Sequence, residues 1–238
     1  NNEITGIAEG FDSFSEESRR FNASNIVRNE VGQEMSSYYG YQIVGFWQNQ
    51  DEIDAANSGA PSGTYQTAAA PGRFRYEDVN GDGQITADDR TFLGSPNPDF
   101  TYGINLNLTY EGWDLGMSLF GSQGAEVWNQ VKWWTDFFSG FNGAKSRVAL
   151  EDSWTPDNPD AEAPIQEPER TFSTNQVPNS YFVEDGSYLR IQSLQLGYTL
   201  PSRWIERLGA QRLRIYVQAS NLYTFTGYSN PEPEIGGS

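Results

Sequence analysis

The chain contains no cysteine and no histidine. The first absence excludes disulfides, thiolate metal sites and a cysteine nucleophile; the second removes the usual general base and the usual zinc ligand. No stretch approaches the ~20 consecutive apolar residues of a membrane-spanning helix, and the opening Asn1-Asn2-Glu3-Ile4 does not read as a signal peptide. Basic residues are few: 15 Lys and Arg face 32 Asp and Glu, a formal charge of −17. That balance argues against nucleic acid as a partner, because a phosphate backbone needs Lys and Arg to replace its counterions. Glycosidase chemistry survives these filters, since it needs only two suitably separated carboxylates. Acidic residues occur throughout the chain, however, and spacing singles out no pair.

Aromatic residues and glycine are plentiful, with seven Trp, thirteen Tyr, fourteen Phe and 24 Gly in 238 residues. This mixture favours strands and turns, hence an all-β fold. The clearest periodicity places Tyr102, Ile104, Leu106, Leu108 and Tyr110 against Gly103, Asn105, Asn107 and Thr109. After Glu111-Gly112 the alternation resumes with Trp113, Leu115, Met117 and Leu119, so the two runs predict a tight antiparallel hairpin. A second pair is expected from Tyr188–Leu200 and Leu213–Leu222. In the earlier strand the apolar phase slips by one residue near Gln192-Ser193, where a bulge would restore the facing.

Transmembrane barrel strands are ~9–11 residues of such alternation, a signal that average hydropathy does not register. The connections are asymmetric: Glu111-Gly112 is short, whereas Gly121 to Asp185 is far longer than a hairpin loop. Short turns on one side and long loops on the other suit a transmembrane barrel. Within the long segment, Val127–Trp134 reads as a helix and Trp154–Pro159 as irregular; Asp51 to Arg75, rich in Ala, Gly, Ser and Pro, reads as a loop. The connection from Pro201 to Gly209 suggests one or two helical turns. Its Trp204 and neighbouring arginines suit a membrane–water boundary or, equally, an amphipathic turn on a soluble sandwich.

Two groups carry candidate chemistry. Asp78-Val79-Asn80-Gly81-Asp82-Gly83-Gln84-Ile85-Thr86-Ala87-Asp88-Asp89 has oxygen ligands at loop positions one, three, five and twelve and Gly at six, the spacing of a calcium-binding loop. Asp78, Asn80, Asp82 and Asp89 would supply side-chain oxygens, Gln84 its carbonyl and Thr86 a direct or water-mediated contact to one structural calcium. Asx turns, in which the carboxylates take nearby amides, are the alternative. The second group is Trp128, Trp133 and Trp134, with Phe137, Phe138 and Phe141. Exposed aromatic faces bind sugar rings or peptide side chains, but a long loop also needs a small core of its own.

Five blocks resemble the SusC/RagA family of TonB-linked outer-membrane proteins, in the family's order: Tyr38–Ile53, Asp78–Gly124, Trp154–Ala161, Ser187–Pro201 and Leu213–Tyr228. The resemblance implies a bacterial outer-membrane transporter whose barrel of about twenty-two strands encloses a plug. It implies a SusD-like lipoprotein over the outer opening, TonB acting through an N-terminal part absent from this sequence, and import of an oligosaccharide or peptide. On this reading residues 1–238 are an incomplete C-terminal barrel segment without a plug. Tyr102, Ile104, Leu106 and Leu108 would face lipid, their polar alternates the lumen, and the long extracellular loops would carry short helices. The competing readings are a secreted β-sandwich that grips glycan, with a calcium-stabilised loop, and, behind it, a carboxylate glycosidase.

Overall fold

The computed structural model describes residues 2–16, 20–22, 24–138, 142–206, 209, 211–230 and 233. Phe141 and the Arg207-Leu208 part of the Pro201–Gly209 connection lie outside the described residues. The chain begins with short strands β1 (Ser13–Ser15), β2 (Arg20–Phe21), β3 (Ser24–Asn25), β4 (Val27–Glu30), β5 (Ser37–Tyr41) and β6 (Ile43–Phe46). Helix α1 (Gln50–Gly59), β7 (Phe74–Tyr76) and β8 (Arg90–Gly94) follow, then the long strands β9 (Phe100–Tyr110) and β10 (Trp113–Gln123). Next come β11 (Glu126–Trp128), helices α2 (Val131–Thr135) and α3 (Arg147–Glu151), and β12 (Val183–Asp185). The long strand β13 (Tyr188–Thr199), helix α4 (Ser202–Ile205) and the long strand β14 (Arg214–Thr226) complete the order.

The elements divide into two compact units. Of the described residues, those in 2–97 and 127–184 make one; those in 98–126 and 185–233 make the other. The first is built from short strands and loops, with a sheet in the order β1-β4-β5-β8 and a separate β6-β7 ladder. Its core is aromatic: Phe21, Tyr38, Tyr41, Phe74, Tyr76, Trp133, Phe137 and Phe182 pack with Ile26, Val27 and Ile85. Its rings meet edge-on, tilted or stacked, as Phe21 edge-on to Trp133 at 6.4 Å and Tyr41 stacked on Tyr76 at 5.1 Å between centroids, edge-on and stacked pairs being those the ring quadrupole favours.

Two loop expectations are corrected in this unit. Residues 50–59 of the expected Asp51–Arg75 loop form α1: the Asn49 side chain caps it by accepting the Glu52 amide, Asp51 and Glu52 sit in its first turn, and Ile53 is buried beneath it. Residues 127–134 are not one helix, because Val127 and Trp128 are in a strand and the helix starts at Val131, where the Asn129 side chain accepts the Val131 amide. Trp154–Pro159 is irregular, as expected. It is anchored by the Trp154 indole, which is buried and donates to Gln48 Oε1 at 3.1 Å.

The second unit is an antiparallel sheet in the order β14-β13-β10-β9. The predicted hairpin is present, with Tyr110 opposite Trp113, Leu108 opposite Leu115 and Leu106 opposite Met117. Its two turn residues, Glu111 and Gly112, both have positive φ (45° and 89°), the requirement of the turn whose twist matches a two-residue hairpin. The predicted slip is also present: both ladders of β13 shift register between Ile191 and Ser193, leaving Gln192 without a ladder partner. Among the described residues the sheet stops at four strands, so closure into a barrel is not part of this structure.

Candidate functional site

Because the bulge restores the phase, apolar residues line up across all four strands on one face. Leu108, Leu115, Leu196 and Val217 form one row, and Leu106, Met117, Leu194 and Ala219 the next. Both ends of this face carry aromatics: Tyr110, Trp113 and Tyr198 at the hairpin end, Tyr102, Tyr223 and Phe225 at the other. The eight steps from Tyr102 to Tyr110 span about 27 Å at about 3.4 Å per residue, close to the ~25 Å apolar band of an outer-membrane barrel. Among the described residues the face is exposed: Val217 at 74 %, Ile215 at 61 % and Leu108 at 53 %. No described helix is long and apolar enough to cross a membrane, which says nothing of strands.

The opposite face is mainly polar, with Phe120, Tyr188 and Tyr216 among its polar groups. Asn105 and Asn107 of β9, Ser118 of β10, Gln195 of β13 and Gln218 of β14 alternate with the apolar set. Arg214 reaches across β13 to Asp114 of β10, its Nε donating to Oδ1 at 3.0 Å and Nη2 to Oδ2 at 2.5 Å. The strand between them offers Gly197, where an added Cβ would lie within 2.6 Å of both charged groups. A glycine is therefore what lets an ion pair bridge the sheet over its middle strand. Arg190 lies 5.0 Å above the Tyr188 ring and donates to Thr224 Oγ1 at 3.0 Å on the neighbouring strand.

The three tryptophans are not brought together as an open platform. Trp133 is buried, its indole donating to the Asn175 carbonyl at 3.0 Å, and Trp128 packs on Phe21 and Phe182. Among the described members of the group, Trp134 (46 % exposed) and Phe138 (55 %) have faces open to solvent. Beside them, a partly buried polar cluster fixes the loop. The Tyr181 hydroxyl donates to Asp136 at 2.8 Å, Lys132 pairs with Glu184 at 3.1 Å, and Lys145 donates to the Phe137 carbonyl at 2.6 Å. Burial, then the Asp136 charge, raises the Tyr181 phenol far above the usual tyrosine range. Burial does the same to Tyr76, whose hydroxyl donates to the Phe172 carbonyl at 2.8 Å.

In the Asp78–Asp89 loop the candidate ligands take backbone amides. Asp78 Oδ1 accepts from Gly81 at 2.7 Å and Oδ2 from Gly83 at 2.8 Å. Asp89, fully buried, accepts from Val79 at 2.9 Å and from Thr86 at 2.7 Å. Asn80 and Asp82 accept from Asp82 and Gln84 in successive Asx turns. Among the described residues no three acidic side chains converge closely enough to hold a metal ion. The donor types suit calcium, but in these positions their oxygens face the loop's own amides.

TonB-dependent receptors P3 and P26 of Formosa agariphila are each 32 % identical to the chain, over 85 % and 89 % of it. The TonB-dependent receptor SusC of Bacteroides thetaiotaomicron is 24 % identical over 98 % of it. The chain spans about a fifth of each of these relatives (19 %, 20 % and 21 %). No protein-family model matches it. In fold it is similar to the RagAB peptide transporter, with a TM-score of 0.69 at 23 % identity over 99 % of this chain and 23 % of that one. The open-open state of the RagAB importer gives a TM-score of 0.67.

Proposed function

Because the chain is in sequence and fold a segment of a SusC/RagA-type TonB-dependent receptor, we propose that it contributes barrel wall and external loops to a non-enzymatic nutrient importer of the bacterial outer membrane. The observation that carries this reading is the exposed apolar face of the β14-β13-β10-β9 sheet, with aromatics at both ends and a mainly polar reverse side. A soluble sandwich would bury such a face; a lipid-facing wall exposes it. The aromatic-cored unit already has its apolar residues inside and is assigned to the extramembrane loops, as part of residues 1–238 of a larger barrel protein.

The proposed cargo is a peptide or an oligosaccharide, captured with a SusD-like lipoprotein and moved when TonB acts on the rest of the receptor. Support for the peptide comes from the likeness to a peptide transporter; the oligosaccharide rests on the resemblance to the SusC/RagA family alone. Of the proposed ligand-contacting tryptophans, Trp134 has the face to act in this way, with Phe138 beside it in sequence; Trp128 and Trp133 would act by holding the loop. Uptake of labelled peptides and of labelled oligosaccharides by cells carrying the whole receptor tests the proposal. Uptake of one class that stops when the proton-motive force is collapsed supports it. Uptake of neither, with the receptor in the soluble fraction, overturns it.

The Asp78–Asp89 loop is given a structural role. Its spacing supports a calcium ion held by Asp78, Asn80, Asp82, Gln84, Thr86 and Asp89, and its amide bonds support closure without one. Calcium titration followed by hydrogen exchange over residues 78–94 separates the two, since only the first gains protection.

A further inference from the structure

The sequence contains two Asn-Gly pairs, Asn80-Gly81 and Asn142-Gly143, and all four residues are exposed. Their settings differ. At the first, the Gly81 amide donates to Asp78 Oδ1 at 2.7 Å, the Asp82 amide donates to Asn80 Oδ1 at 2.8 Å, and Asn80 Nδ2 donates to Asp82 Oδ2 at 3.3 Å. Gly81 has φ of 73° and open space where a side chain would be, so no Cβ of its own crowds the peptide bond to Asn80. Among the described residues no such trio surrounds Gly143.

These three contacts fall on the three groups that change in an intramolecular attack on the Asn80 amide. We infer that Asn80-Gly81 is a self-modification site, at which the folded loop promotes conversion of Asn80 to aspartate and isoaspartate. In the first step the Gly81 nitrogen bonds to Asn80 Cγ while its proton passes toward Asp78, a carboxylate within hydrogen-bond reach of that proton. Charge gathers on Asn80 Oδ1, where the Asp82 amide already donates, as a backbone amide does in an oxyanion hole. The Cγ–Nδ2 bond then breaks and the amide nitrogen, having gained a proton, leaves as ammonia. Water opens the resulting five-membered imide at either carbonyl, so the balance is one amide and one water consumed, one carboxylic acid and one ammonia formed. The isoaspartate product adds a methylene to the backbone between Asp78 and Asp82 and so breaks the register of amides on which the loop depends.

The experiment ages the full chain at neutral pH with a chelator present and quantifies aspartate and isoaspartate at both pairs by peptide mass spectrometry. Asn80 should convert about a hundredfold faster than Asn142, the low end of what a positioned proton acceptor supplies. Asp78→Asn, which keeps an acceptor oxygen but removes the charge, should abolish most of that lead and leave Asn142 unchanged. Aging in denaturant provides a check that needs no variant, since unfolding removes the geometry and should bring the two rates together. An Asn80 no faster than Asn142 in the folded chain, or one whose lead survives denaturant or Asp78→Asn, would overturn the inference.

Discussion

In the unit formed by the described residues of 2–97 and 127–184, large apolar side chains are inside: Trp47 and Phe74 are 1 % exposed and Tyr76 is fully buried. In the four-stranded sheet the same kinds of side chain are outside, with Tyr110 at 72 % and Tyr223 at 58 %. Composition does not separate the two regions, because both are rich in Tyr, Phe and Trp. Periodicity and its partner face do. In the sheet, alternation places most of the apolar side chains on one side of extended strands, where they stay exposed among the described residues. In the other unit, short strands and loops let rings converge from many directions. The first arrangement needs an apolar solvent, and the second makes its own.

The comparison breaks most sharply at the aromatic core. Phe74→Ala should destabilise that unit by about 3–5 kcal/mol, the usual cost of emptying a buried aromatic site, seen as lost exchange protection in β7 and around Phe182. Protection in β9 and β10 should be unchanged. In the membrane-embedded receptor, Leu106→Arg should cost ~2–4 kcal/mol if this row lies near the bilayer midplane. Asn107→Arg, one residue on and facing the other way, should be milder, and urea unfolding in liposomes reads both. Equal tolerance at the two positions would remove the distinction between the faces.

Alkali should act on the aromatic-cored unit first. Tyr76 and Tyr181 have phenols held above the ordinary value by burial. Stability from a raised folded-state value is fully present below the unfolded value, about pH 10, and is lost as pH rises toward the folded one. Near-ultraviolet circular dichroism should report loosening only above about pH 10. Smallest is Asn49→Ala, which removes the cap of α1 and should cost about 1 kcal/mol, read as faster exchange in residues 50–55.

What the sequence made legible follows the same line. The Glu111-Gly112 hairpin and the slip at Gln192 were readable because a period of two leaves one interpretation per residue, and a broken phase has one local remedy. Helix α1 was hidden by its Ala, Gly and Ser content, although Asn49 followed three residues later by Glu52 is a recognisable start signal. Adjacent Trp133 and Trp134 could not be told apart. Which of them turns into the core is set by contacts with Phe21 and with the Asn175 carbonyl, each over forty residues away in sequence. The Asp114–Arg214 pair was equally hidden, since it needs β13 between them and a glycine at 197. In the Asp78–Asp89 loop the spacing was legible, but calcium loops and Asx turns call on the same residues.

The central claim is that the apolar face meets lipid and the other face meets water. The chain has no cysteine, so single cysteines placed in turn from Tyr102 to Tyr110 in the membrane-embedded receptor can each carry one spin label. Collision with oxygen, which concentrates in lipid, and with a water-soluble nickel chelate should alternate with a period of two. Oxygen should dominate at 102, 104, 106, 108 and 110, and nickel at 103, 105, 107 and 109. Nickel access at every position, or no alternation, would contradict the account.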